Sequence, residues 1–227
     1  MKIGILVAMD KELRLLLHVM GELVEQTVDG SKMYCGNIGS HEVIVAKCGI
    51  GKVNSALTTL TLINFFNPDL VINSGVAGGA GNGVKIGQLL VADKVCYHDV
   101  WCGPGTDEGA ADGCDRFIKT DTKIVELAHR LLNPEDTVYG LICSGDRFIA
   151  SAEEVRSIRS RFPEVKAVDM ESASIAQVCF MKGKLFNILR IVSDTPGEGE
   201  NIEQYQNFWG EAPFKTFEAV KILLESL

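Results

Sequence analysis

Ile3 to Ala8 is an unbroken apolar run containing β-branched residues, and behind Asp10, Lys11 and Glu12 the residues Leu13, Leu16, Leu17 and Met20 recur at helical spacing. The pattern predicts a buried strand feeding an amphipathic helix. Lys32 to Ile38 and Glu42 to Lys47 alternate around Gly39 and Ser40, which predicts a hairpin, and Val53 to Phe66 reads as a largely buried helix. Further strands are predicted at Leu70 to Ser74, Gln88 to Tyr97, Val138 to Cys143, Val165 to Val168 and Leu185 to Val192. Helices are predicted after Asp121 and near Glu153 to Arg161, Ser172 to Met181 and Pro213 to Ser226. Strands interleaved with helices, together with a hairpin, predict an α/β chain whose central mixed sheet carries helices on both faces.

Composition narrows this to one ordinary globular unit. The 227 residues are 46% hydrophobic with only 6 prolines, and no repeat, low-complexity tract or linker divides them, so 1–227 is expected to form a single domain. A net charge of −8 with no Lys/Arg block argues against nucleic acid as a partner. The N-terminal apolar run is too short, and too soon followed by charges, for a signal peptide or membrane span. Seven cysteines, mostly within apolar runs, read as reduced thiols packed as small hydrophobes. A cytoplasmic location and no membrane association are expected. Asp99 to Phe117, rich in glycine, aspartate and alanine, is expected to be a long irregular loop.

Several motifs fail on inspection. Gly49-Ile50-Gly51-Lys52-Val53 lacks the Ser or Thr and the upstream glycine of a phosphate-binding loop, and Gly75-Val76-Ala77-Gly78-Gly79 lacks the dinucleotide-binding spacing. Cys96, His98 and Cys102 lack a fourth ligand at zinc-site spacing, so no metal is expected. What survives is simpler: glycines at a strand end let a ligand approach the backbone closely. Three carboxylates stand where a strand hands over to a loop or helix, the edge at which α/β sheets place ligands: Glu12, Glu171 and Asp194. Each alone reads more readily as a helix-end or loop carboxylate.

The combination resembles a known family. Met9-Asp10-Lys11-Glu12, Cys48-Gly49-Ile50-Gly51-Lys52-Val53, Asn73-Ser74-Gly75-Val76-Ala77-Gly78-Gly79, Tyr97-His98-Asp99, Ser144-Gly145-Asp146-Arg147-Phe148-Ile149, Val168-Asp169-Met170-Glu171 and Arg190-Ile191-Val192-Ser193-Asp194 are collinear with motifs of the bacterial 5′-methylthioadenosine/S-adenosylhomocysteine nucleosidases. That resemblance implies a three-layer α/β/α fold of the purine nucleoside phosphorylase type and hydrolysis of an adenine N-glycosidic bond, with no cofactor. By resemblance Asp194 is the general acid serving purine N7, a role that asks burial to raise its pKa. Glu12 would orient and deprotonate water, as in glycoside hydrolysis generally. Glu171 would accept hydrogen bonds from the ribose hydroxyls, with Met170 against the sugar face. Phe148 would stack on the base and the backbone of Ile149 would read its edge. Ser193 and Arg190 would brace the acid and the water site. Ala77 and Gly78 offer backbone to the nucleoside, and Met9 and Ile50 are apolar contacts for a thioether or, equally, core residues.

Two departures matter. Val76 stands where many members of that family carry Ser, which removes a hydroxyl from the water or phosphate position and disfavours phosphorolysis. The segment Thr195 to Asn201 and the residues Val100-Trp101-Cys102-Gly103 also differ. Candidates for closing the pocket over the 5′-substituent are therefore Tyr205, Phe208, Val100 and Trp101. The resemblance further implies a homodimer, with the Asp99 to Phe117 loop reaching across it. The alternatives are a related purine nucleosidase or phosphorylase of the futalosine type and a catalytically silent nucleoside-binding protein of the same fold.

Overall fold

The computed structural model describes residues 1–197, 201–208 and 212–227, with the backbone alone at 201 and 212–216. The predicted first strand is β1 (Lys2–Val7), and the helix after it is α1 (Asp10–Val19). β2 (Val24–Val28), β3 (Ser31–Ile38) and β4 (His41–Lys47) follow as an antiparallel set, then α2 (Lys52–Phe66), β5 (Leu70–Gly79), β6 (Leu89–Tyr97) and the short β7 (Ile118–Lys119). The chain continues through α3 (Thr122–Leu131), β8 (Thr137–Ser144), α4 (Ala152–Arg161), β9 (Val165–Asp169), α5 (Ser172–Met181), β10 (Leu185–Asp194), α6 (Asn201–Asn207) and α7 (Ala212–Glu225).

β1 is buried along almost its whole length because it lies between two parallel neighbours, β4 and β5, and this explains its unbroken apolar run. α2 and α5 pack on one face of the sheet around Leu62, Ile63, Ala173 and Ile175. α1, α3 and α7 pack on the other through Leu13, Leu16, Ile124, Phe217 and Leu223. The mixed sheet with helices on both faces is therefore as expected. Two capped starts follow their sequence cues: Asp121 accepts the Lys123 N–H at 2.9 Å, and Ser151 pairs with Glu154 in a capping box.

Several features depart from the pattern-based reading, among them the unpredicted β7 and α6. β5 does not stop at Ser74 but runs on through the glycines to Gly79, because it is paired there with both β10 and β9. These pairings close β5, β10, β6, β8 and β9 into a ring of strands, from which β1, β4, β3 and β2 extend as an open sheet. β2 was not anticipated, since four of its five residues are exposed on a sheet edge and carry no apolar alternation. Residues 99–117 form the expected irregular loop. All seven cysteines are free thiols; Cys102 is exposed, Cys35 and Cys114 are half-buried, and the rest are buried.

Among the described residues no helix is long and apolar enough to cross a membrane.

Candidate active site

The carboxyl ends of β1, β5, β9 and β10 converge on a cleft of about 610 Å³, its open mouth included. That size suits a nucleoside-sized ligand. The residues to which the sequence analysis gave catalytic or binding roles line it: Met9, Glu12, Ile50, Ala77, Gly78, Phe148, Ile149, Met170, Glu171, Arg190, Ser193 and Asp194. Of the four candidates for the 5′ side, Tyr205 lines the cleft; Phe208 is buried outside its lining, and Val100 and Trp101 belong to the 99–117 loop. Sequence reasoning had not assigned Ala8, Arg147, Val168, Asp169 or Pro196, which also line the cleft. Asp169 carried a signal, since it stands two residues before Glu171 at a strand end. Residues 198–200 of the divergent segment after Asp194 lie outside the described residues.

Glu12 sits in the first turn of α1 and turns back on the strand it follows. Its Oε2 accepts the N–H groups of Ala8 at 2.8 Å and Met9 at 2.9 Å, and its Oε1 accepts that of Val76 at 3.1 Å. Three backbone donors thus fix a side chain with no exposed surface. Burial raises its pKa, against the lowering influence of Arg190 and the same backbone donors. At the position of Val76, then, it is the main-chain N–H that serves the carboxylate.

Asp194 ends β10. The pairing of β10 with β5 shifts register between Val192 and Asp194, so Ser193 is left out of the ladder. Such an irregularity re-aims side chains. Here it lets the Ser193 hydroxyl donate to Asp194 Oδ1 at 2.7 Å, with a contact to the Ala77 carbonyl at 3.3 Å. Asp194 is 2% exposed.

Glu171 precedes α5. Its Oε1 accepts the Gly51 N–H at 3.0 Å, so the turn after β4 is tied to the site, and Gly51 at φ 96° uses a conformation that glycine adopts readily. Its Oε2 accepts from Arg190 Nη2 at 3.0 Å. Burial pushes the Glu171 carboxyl up to about 7; Arg190 opposes the shift, and Asp169 adds to it. Arg190 is itself 1% exposed and makes an ion pair with Asp169 at 2.6 Å. Its bracing thus goes to Glu171 and Asp169, with Glu12 feeling its charge, while Ser193 braces Asp194.

The far wall is aromatic. Phe148 meets Tyr205 edge-on with ring centres 5.6 Å apart, and the Tyr205 hydroxyl reaches Met9 Sδ at 3.2 Å. The cleft therefore has one apolar, π-rich wall, a floor of buried carboxylates around a single guanidinium, and backbone from the β5 glycine segment along one side. Such a site can hold a flat heterocycle at one end, a polyhydroxylated ring in the middle and an apolar group at the other.

This fold and cleft are those of the phosphorylase superfamily, whose family model matches residues 2–225. A 5′-methylthioadenosine/S-adenosylhomocysteine nucleosidase of Actinobacillus succinogenes is 36% identical over 230 residues, covering 100% of both chains. The S-adenosylhomocysteine nucleosidase of Streptococcus pyogenes, solved in complex with 5-methylthiotubericidin, superimposes with a TM-score of 0.95 at 35% identity, covering 100% of this chain and 97% of that one. The Streptococcus pneumoniae nucleosidase with a transition-state inhibitor gives 0.94 at 35% identity, covering 99% of each. Within that superfamily, the chain belongs to the 5′-methylthioadenosine/S-adenosylhomocysteine nucleosidase family.

Proposed function

We propose that this protein hydrolyses the N-glycosidic bond of 5′-thio-substituted adenosines, methylthioadenosine and S-adenosylhomocysteine, to adenine and the corresponding thioribose. One observation carries the reading: a hydroxyl-braced carboxyl, Asp194, and a backbone-clamped carboxyl, Glu12, share a single nucleoside-sized cleft with Glu171. Asp194 gives its proton to N7 as the C1′–N9 bond breaks and its electron pair passes to adenine. Water attacks C1′, and Glu12 takes the water's proton; burial, by raising its pKa, makes it the stronger base. Glu171 accepts the ribose hydroxyls when ionised, and Met170 lies under the sugar. Phe148 stacks on the purine while the Ile149 backbone reads its edge. Met9, Ile50 and Tyr205 receive the 5′-thio group. Ala77 and Gly78 supply backbone alongside.

Water is favoured over phosphate because the cleft's two cations are engaged: Arg190 with Asp169 and Glu171, and Arg147 with Glu154 at 2.7 Å. An anion beside Glu12 would be repelled.

The same reading takes residues 1–227 as one catalytic domain working in the cytoplasm, in methionine salvage. It also takes the protein as a homodimer. In support, α2 and the end of α5 leave Val53, Leu57, Phe65 and Met181 between 58% and 71% exposed, an apolar face that a second copy would cover. The 99–117 loop would then carry Val100 and Trp101 toward a neighbouring cleft. Sizing in solution tests that part.

The activity is tested by assaying adenine release from methylthioadenosine with and without inorganic phosphate. Release independent of phosphate is expected; strict dependence on phosphate would make the protein a phosphorylase, and no release would leave it a binding protein.

A further inference from the structure

The floor of the cleft holds more negative charge than it can neutralise. Glu12, Asp169 and Glu171 are all buried, and the cation among them is Arg190. If all three carboxyls were ionised, the cluster would carry two uncompensated charges away from water, which strongly disfavours the last ionisation. The geometry sorts the three. Asp169 is the anion nearest the guanidinium, with Oδ2 at 2.6 Å from Nη2. It also draws the Ser144 hydroxyl at 2.5 Å, the Ser172 hydroxyl at 2.5 Å and the Ser172 N–H at 3.1 Å, so both of its oxygens are served by donors. Glu171 takes from the same Nη2 at the longer distance of 3.0 Å, and that nitrogen also donates to Asn73 Oδ1 at 2.7 Å. The two hydrogens of that nitrogen thus go to Asn73 and Glu171, while Asp169 meets it as the closest charge.

We propose that Asp169 is a positioning residue that claims the charge of Arg190 and thereby sets the protonation state in which Glu171 meets the ribose hydroxyls. This rests on the nucleosidase reading above for the identity of the ligand, but not for the charge sharing itself. The groups facing Glu171 are Arg190 and Asp194 from β10, Asp169 from β9, Glu12 from α1, the Cys48 thiol after β4 and Tyr205 on α6. Of these Arg190 alone is a cation, and Asp169 is the anion closest to it. Burial and the Asp169 charge both hold the Glu171 proton on, to about pH 7. A free enzyme poised there gains full affinity for a diol only as that proton leaves.

The test is the pH profile of kcat/KM for methylthioadenosine, whose limbs report ionisations of the free enzyme. Wild type should lose kcat/KM as pH falls through neutrality. Asp169→Asn removes the competing anion and should move that limb down by about one pH unit. Asp169→Glu, which keeps the charge, should leave it near the wild-type position. Ser144→Ala keeps the Asp169 charge but strips it of a donor, leaving that charge less compensated, and should move the limb the opposite way, up, by less, which provides a second variant if Asp169→Asn does not fold. A merely structural role would lower kcat/KM at every pH without moving the limb, and an unmoved limb in Asp169→Asn, or in Ser144→Ala if the former is unfolded, overturns the proposal. A substrate-free titration of the carboxyl carbon signal that disappears in Glu171→Gln, followed by NMR in wild type and in the same variants, should show the same displacements. If wild type releases no adenine, the nucleosidase reading fails while this titration still decides the charge sharing.

Discussion

Glu12 and Arg190 meet across Gly75: a Cβ placed on that glycine would lie 2.5 Å from Glu12 Oε1 and 2.5 Å from Arg190 Nη1. The two functional side chains occupy the room a side chain at residue 75 would need, and β5 runs through it at φ +151°, where non-glycine residues are strained. Gly75→Ala is therefore expected to displace both groups. Because a displacement of about 1 Å can cost roughly 10²-fold in rate, kcat should fall at least that far while the folded state persists. Steady-state kinetics alongside circular dichroism checks this; near-normal turnover would mean that Glu12 is not held where the reaction needs it.

Asp194→Asn should cost most in turnover, roughly 10²- to 10⁴-fold, the usual contribution of a positioned proton donor. Substrate should still bind, because stacking and the ribose contacts are elsewhere. Ser193→Ala, which removes the 2.7 Å hydroxyl contact, should show a smaller loss in kcat with little change in KM. If Asp194→Asn turned over at the wild-type rate in single-turnover assays, the proton would have to come from another group.

Glu12→Gln preserves acceptors for some of the Ala8, Met9 and Val76 N–H groups but removes the proposed base, so kcat should drop nearly as far as in Asp194→Asn. Phe148→Ala should instead raise KM by about tenfold, in line with about 1 to 3 kcal/mol for stacking a base on an aromatic ring. The contrast between a kcat variant and a KM variant is read from one set of saturation curves.

Glu171 also has a consequence for stability. Burial pushes its pKa in the folded chain up to about 7, above the ordinary glutamate value of 4.5, so between those pH values the folded chain holds a proton that the unfolded chain has released. Stability contributed by that proton is present below pH 4.5 and is lost as pH rises to about 7, on the order of 3 kcal/mol in all. Glu12, also raised by burial, adds to the same slope and buried His98, lowered by burial, runs the other way, so the raw profile mixes all of them. Denaturant midpoints of wild type minus Glu171→Gln isolate the glutamate: the variant should gain on wild type from pH 5 to 7.5. A constant difference over that range would show that Glu171 ionises normally.

How much of this was legible in the sequence depended on what each residue answers to. Ile3 to Ala8 and Leu185 to Val192 read as strands because burial on both sides demands continuous apolar runs. Val24–Val28 did not, because an exposed edge strand is held by its neighbour's backbone and not by its own side chains. The glycines from Gly75 to Gly79 looked like a strand end, yet pairing with β9 and β10 makes them strand interior, a long-range effect that no local window contains. Glu12, Glu171 and Asp194 were recognisable by their places after strands, and the resemblance to a family gave them roles. Asp169 stood in plain view but needed three-dimensional distances, since only in space does it share Arg190 with Glu171. Phe208 is absent from the cleft lining for the opposite reason: its aromatic character fits a buried position as well as a binding wall.

The central claim, that water is the nucleophile, is tested most directly by running the reaction on methylthioadenosine in ¹⁸O-labelled water containing phosphate, with the released sugar analysed by mass spectrometry. One labelled oxygen at C1 of the methylthioribose, in every product molecule, is the predicted result. An unlabelled sugar 1-phosphate would contradict it.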